Sequence, residues 1–199
     1  MLLRISLTLI MLVMLMGTGC SPPRLCPDAI APTPEQAAQL MLPIGVQHVT
    51  ILGVRDWQSG KVVIFEAEQP PGSLKLGFAL VQPRLGCGWV LRASGMDQII
   101  LPPALQSLVR LDGQSYPGMP LVMVYGRLLD PQIAAVEVTF DNGAIRRETI
   151  RERMFLLNEP SAQIACSLRL FDRQDQVIQQ LDDLSTRLFP PWAHLCPSP

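Results

Sequence analysis

Few residues in this 199-residue chain are suited to acid–base chemistry, and its histidines are two, His48 and His194. A hydrolase needs a nucleophile, a base and an orienting group within hydrogen-bond reach. His48 stands at the start of a β-branched stretch and could act as a base for a serine, but no Gly-x-Ser-x-Gly elbow accompanies it. His194 lies in a proline-rich tail beside Cys196, and a surface or capping role is expected for both histidines. Paired carboxylates could hydrolyse a glycoside. Asp182 and Asp183 are adjacent, so on a regular element they diverge, and Glu148 and Glu152 stand among arginines; a solvated face is expected for each pair. Arg146, Arg147, Arg151 and Arg153 form a basic cluster able to meet an anion or a phospholipid head group, although Glu148 and Glu152 interrupt it. Trp57, Trp89 and Trp192 could line a sugar or peptide groove, but 6% aromatic residues is too few for an extended carbohydrate platform. Trp57 and Trp89 are expected in the core. The chain has no metal-ligand cluster, P-loop or dinucleotide fingerprint, so no cofactor is expected. A net charge of −1 gives no basic footprint for nucleic acid.

The five cysteines are Cys20, Cys26, Cys87, Cys166 and Cys196, with no Cys-x-x-Cys pair to hold zinc or run a redox cycle. Four remain after Cys20, and an even number in an exported chain points to two disulfides. Three pairings are possible. The arrangement expected is Cys26–Cys196, tying the two proline-rich ends, with Cys87–Cys166 inside the body. The alternative is free, buried cysteines acting as small hydrophobes.

The elements that would position these residues are mainly strands. Thr33 reads as an N-cap with Pro34 at the first helical position and Gln36 at the third, predicting a short helix from Pro34 to Met41. Gln47 to Trp57 and Lys61 to Glu68 flank a Gln58-Ser59-Gly60 turn and predict a hairpin. Leu74, Leu76, Phe78 and Leu80 alternate with smaller or polar residues, the period of a half-buried strand. Cys87 to Ala93 is a fourth strand. Residues 94–120 mix a short strand with a helix after Pro103, and Pro117 and Pro120 mark a boundary. Further strands are expected at Leu121–Leu128, Ile133–Phe140, Ala144–Ile150, Met154–Leu157, Ile164–Phe171 and Gln176–Gln180, with Ser185 capping a last helical turn. Asn142-Gly143 predicts a two-residue type I′ turn, which pairs Phe140 with Ile145. Turn signals at about 10-residue spacing are the signature of a β-sandwich or barrel.

Arg4 precedes an apolar run, Ile5 to Met16, that is too short to span a bilayer and fits the core of a secretory signal. Gly17-Thr18-Gly19-Cys20 follows, then Ser21-Pro22-Pro23. Small residues at this distance before a cysteine resemble the lipobox of bacterial lipoproteins, although Gly17 stands where leucine is usual. The resemblance implies that Cys20 takes a diacylglycerol on its sulfur and becomes the new N-terminus. Several acyl chains then make a firm anchor. Tyr125-Gly126-Arg127, Asp130-Pro131, Val136-Glu137-Val138, Asn142-Gly143 and Phe171-Asp172, with Gly86-Cys87-Gly88-Trp89 before them, resemble motifs of uncharacterised exported bacterial domains. That resemblance implies fold and compartment, and no catalytic residue.

The expected organisation is a signal peptide at 1–19, a lipidated cysteine and proline-rich tether at 20–34, an N-terminal β-rich lobe with a short helix at 35–116, and a C-terminal β lobe with a proline-rich tail at 117–199. The fold class is mainly β, an antiparallel sandwich-like body with one or two short helices. The function expected is a non-catalytic binding or structural lipoprotein, anchored by Cys20 on the extracytoplasmic face of a cell membrane. Its partner would be a protein or small ligand, with no nucleic acid. The alternatives are an envelope hydrolase using His48, and a sensor reading an anionic membrane surface through the arginine-rich hairpin.

Overall fold

The runs of β-branched and apolar residues form antiparallel sheets, as their side chains favour a pleated, buried surface. The computed structural model describes residues 30–40, 42, 46, 48–69, 72–97, 99–115 and 122–196. The signal segment, Cys20, Cys26, Pro117 and Pro120 lie outside the described residues. Among the described residues there are three sheets. The first runs, in spatial order, β1 (Ile30–Ala31), β5 (Gly88–Asp97), β4 (Ser73–Arg84), β3 (Gly60–Gln69) and β2 (Val49–Trp57). The second runs β10 (Met154–Glu159), β7 (Val122–Leu128) and β6 (Val109–Ser115). The third runs β12 (Val177–Leu181), β11 (Ala165–Phe171), β8 (Ala135–Phe140) and β9 (Ile145–Thr149). Short helices α1 (Pro34–Gln39), α2 (Pro103–Gln106) and α3 (Leu184–Leu188) and a 3-10 segment (Pro190–Leu195) lie between and after them.

The second sheet lies between the other two. Successive side chains of a strand point to opposite faces. In β7, Met123 and Tyr125 pack with Val62, Ile64, Phe78 and Leu80 of the first sheet. Val122, Val124 and Leu128 pack with Val136, Val138 and Leu168 of the third. The sandwich therefore has three layers. The outer face of the first sheet is covered in turn by Ala31 and by Ala37 and Ala38 of α1. That cover buries β4 on both faces from Phe78 to Val81, where simple alternation predicts one. Thr33 caps α1 as expected, its hydroxyl accepting the Gln36 N–H at 3.3 Å.

Charges cross between the layers. The Glu66 carboxylate in β3 is buried, and it accepts from Arg110 of β6 at 3.2 Å and from Arg127 of β7, cross-strand neighbours of each other. Gly126 lets β7 close up, since a Cβ there would stand 2.6 Å from the Phe155 ring. Tyr125-Gly126-Arg127, met as a motif in the sequence, is thus a set of contacts made by the middle sheet. Asp172, also part of that motif, accepts the N–H groups of Gln174 and Gln176 at 2.9 Å and closes the β11–β12 turn.

Three expectations need correction. Asn142 does not take the positive φ that a type I′ turn requires of both its central residues; Gly143 alone does, at +80°. The loop is therefore three residues long, with Phe140 N–H donating to the Ala144 carbonyl, and Ile145 faces Thr139 rather than Phe140. Secondly, the tether does not stay unpaired to residue 34, because Ile30 and Ala31 pair with Val90 and Trp89 at the edge of the first sheet. Thirdly, α3 begins at Leu184, so Ser185 lies inside it, buried, and not at its cap. The expected division at 116/117 falls between β6 and β7, which pair along their whole length in one sheet.

The corrected register turns Arg146 and Glu148 toward the middle sheet. Glu148 accepts the backbone N–H of Leu156 at 2.8 Å and so covers the outer edge of β10. Arg146 pairs with Glu159 at 2.6 Å. Desolvation raises the Glu148 carboxyl above its ordinary value, against the opposing Leu156 N–H and Arg55. The Ser161 hydroxyl, with Arg146, holds the Glu159 carboxyl below the ordinary value despite its burial. The signs are opposite: Glu159 contributes stability above the ordinary carboxylate range, near pH 4.3, that is lost as pH falls through its depressed value. Glu148 favours the protonated fold, so its term grows as pH falls. Glu159→Gln is expected to be less stable than wild type at pH 7, with the gap narrowing in acid. Glu148→Gln is expected to steepen the acid limb. Urea midpoints measured from pH 7 to pH 3 check both, and parallel curves for all three proteins would contradict the assignment.

Candidate functional site

A groove of about 670 Å³ opens beside β6, the edge strand of the middle sheet. Backbone alternation explains its floor. Glu148 takes the outward N–H of Leu156, so Tyr125 opposite it turns toward Asp112, and the edge of β6 at Gly113 faces outward. Asp112 is only 2% exposed. One carboxylate oxygen accepts the Tyr125 hydroxyl at 2.7 Å and the other accepts the Gly113 N–H at 2.8 Å. A buried carboxylate with such donors stiffens the strand beneath the groove.

One wall is the segment Ile99–Ile100, and the other is the C-terminal run Phe189–Trp192. Arg187 joins them. It grips Asp183 with two donors, at 2.7 and 3.1 Å, and donates to the Ile100 carbonyl at 3.0 Å. A disulfide between Cys166 of β11 and Cys196 then pins the end of the C-terminal run to the third sheet. On the other side of Ile99 and Ile100 a second depression, about 320 Å³, reaches Arg110 and Leu76. Apolar walls, a half-exposed Trp192 and the polar Gln114 and Ser115 suit a small amphipathic ligand or an extended peptide. With both Asp112 oxygens already accepting hydrogen bonds, the groove can bind by its walls and rim.

The residues singled out from the sequence are mostly dispersed. Cys166 bonds Cys196, which corrects the expected Cys26–Cys196 and Cys87–Cys166 pairs. Cys87 is also disulfide-bonded. The arginine cluster is divided. Arg146 faces inward to Glu159, while Arg147 faces outward, stacked 4.1 Å over the Phe171 ring and paired with Asp175. Arg151 and Arg153 are exposed in the following bend. Arg55 stands 3.2 Å from Glu152 and 4.0 Å from Glu148, so those carboxylates answer an arginine and not each other. Asp183 is held by Arg187, and Asp182 accepts from Gln180. His48 is an exposed side chain 3.5 Å from Glu68, and His194 lies in the 3-10 segment. The Ser59 and Ser161 hydroxyls pair with Gln82 and Glu159, away from either histidine. Trp57 is core, Trp89 packs against the cluster under α1, and Trp192 alone of the three lines the groove.

Asp112, Tyr125 and Arg187 were not singled out as site residues. The one local signal is a carboxylate set between apolar Leu111 and Gly113 in a strand, and its partner lies 13 residues away.

Closing a loop of 30 residues, the Cys166–Cys196 bond is expected to contribute about 3–4 kcal/mol by limiting the unfolded chain. The double variant Cys166→Ala, Cys196→Ala should lose that much in urea denaturation and shift Trp192 emission as the groove wall loosens. An unaltered midpoint would show that the bond does not constrain the fold.

The chain matches no known family model, and no curated protein or solved structure is similar to it.

Proposed function

We propose that this chain is a lipoprotein of the cell envelope, a non-catalytic binding module anchored through Cys20 on the extracytoplasmic side. It takes its ligand, a small amphipathic molecule or an extended segment of a partner protein, in the groove beside β6. The observation that carries the compartment is the oxidised state of the body: Cys166, Cys196 and Cys87 are all disulfide-bonded. Disulfides form and persist in oxidising compartments. The apolar run Ile5 to Met16, followed by Gly-Thr-Gly-Cys, supplies a route there and a point of attachment. The groove supports the binding role because its far wall is held by a covalent bond and an arginine clamp. A preformed site of that kind spends little ordering entropy when a ligand enters.

Intact mass of the membrane-fraction protein tests the anchor. A chain beginning at Cys20 with a lipid-sized increment is expected, and Cys20→Ala should move the protein out of the membrane fraction. A chain that retains Met1, or begins at an unmodified Cys20, would overturn the proposal.

A further inference from the structure

We propose that the smaller depression beside β6 binds an amphipathic anion, a single-chain carboxylic acid of the medium-chain fatty-acid type. Its carboxylate would sit on Arg110 and its hydrocarbon tail against Leu74, Leu76 and Ile100. The proposal rests on reading the chain as a binding module, and gives that module a second pocket. The depression holds about 320 Å³, room for roughly ten water-sized groups at about 30 Å³ each. Its lining is almost wholly apolar. Leu76, Leu101, Val109 and Leu111 are buried, and Leu74 and Ile100 stand exposed at the rim, Ile100 by 82%. Two polar side chains join them, Gln106 and Arg110. The Gln106 amide already donates to the Leu101 carbonyl at 2.7 Å. Arg110 is therefore the side chain placed to meet a polar head.

The charges around Arg110 leave it able to take a second carboxylate. Its Nη1 donates to Glu66 at 3.2 Å, and Glu66 also accepts from Arg127, so one buried carboxylate answers two guanidinium groups. No other carboxylate pairs with either arginine among the described residues. A guanidinium presents five N–H donors in a planar fork. The Arg110 side chain is 37% exposed, so Glu66 fixes its position and leaves donors for a ligand. The two cavities differ in charge. Asp112, on the same face of β6, lines the larger groove with its carboxylate turned to Tyr125 and Gly113. An anion is repelled there and drawn toward Arg110, since the described lining of the smaller depression includes no carboxylate. The apolar lining favours a hydrocarbon tail over a peptide. Buried methylene groups gain from leaving water, whereas peptide amides would lose their water with no further side chain to replace it.

The test is equilibrium dialysis of radiolabelled octanoate against the full chain, taken from its membrane fraction into phosphatidylcholine nanodiscs, with empty discs as the blank. Octanoate is expected to bind saturably. Octan-1-ol, which has the same tail and no charge, should bind about tenfold more weakly. Propionate, which has the charge and little tail, should bind at least about a hundredfold more weakly. Arg110→Gln should weaken octanoate binding about tenfold. Because that change also removes a partner of Glu66, Leu74→Glu serves as a second variant. Leu74 is exposed at the rim, and a carboxylate there should weaken octanoate about fivefold with the urea midpoint unchanged. Equal binding of octanoate and octan-1-ol, or an octanoate affinity indifferent to both variants, would overturn the proposal. If Trp192→Ala weakens octanoate instead, the ligand lies in the larger groove, and the binding-module reading stands while this one falls. A peptide ending in Leu-Leu with a free carboxylate that outcompetes octanoate would overturn the fatty-acid assignment. Absence of saturable octanoate binding would overturn this proposal alone, since the anchor is read separately from the mass of the mature chain.

Discussion

A three-stranded sheet buried on both faces must satisfy its polar groups without help from water. In the middle sheet, neighbours on the two outer layers do this. Glu66 reaches in from the first sheet to Arg110 and Arg127. Glu148 reaches in from the third to the Leu156 N–H. Asp112 and Tyr125 answer each other within the sheet, and the Tyr125 ring lies 5.5 Å from Phe78. The Glu66 and Asp112 carboxylates are buried and would be expensive to bury alone, and removing their partners leaves each as an uncompensated buried charge. The stacking of the three layers is therefore specified by pairs as well as by apolar volume.

The same constraint sets where a ligand can sit. β10 is one edge of the middle sheet, and Glu148 of β9 covers it. β6 is the other edge, and there the chain supplies walls in place of a partner strand: Ile99–Ile100 on one side, and the C-terminal run on the other. Neither wall belongs to a sheet. They are joined to the body by Arg187 and by the Cys166–Cys196 bond. A groove made of irregular chain fixed at its ends can differ in shape without disturbing the sheets below, a common arrangement for binding sites carried by rigid scaffolds.

How much of this could be seen in the sequence depended on the range of the interaction. Thr33, Pro34 and Gln36 specify a helix start within four residues, and that start is present. The β2–β3 hairpin, the helix after Pro103 and the six strands expected from Leu121 to Gln180 rest on local runs of apolar residues, and all appear within a few residues of their expected limits. The register of β8 and β9 depended on the φ of one residue, Asn142, which its type permits but does not force. The burial of both faces of β4 depended on α1, about 40 residues away, folding back over it. The cysteine pairing and the groove were the least legible. Cys166 meets Cys196 only because α3 and the 3-10 segment return across β11, and Asp112 meets Tyr125 only after β6 and β7 pair. The expected boundary at 116/117 came from prolines in a connection, a local signal with no knowledge of that pairing.

Because the middle sheet contributes to both cores, the outer layers should not come apart independently. Hydrogen–deuterium exchange read by mass spectrometry across a urea series measures this directly. Peptides covering β3, β7 and β11 are expected to lose protection together, at one urea midpoint, as a single cooperative unit does. A separate, lower midpoint for β3 or for β11, with β7 still protected, would contradict a fold organised around a shared central layer.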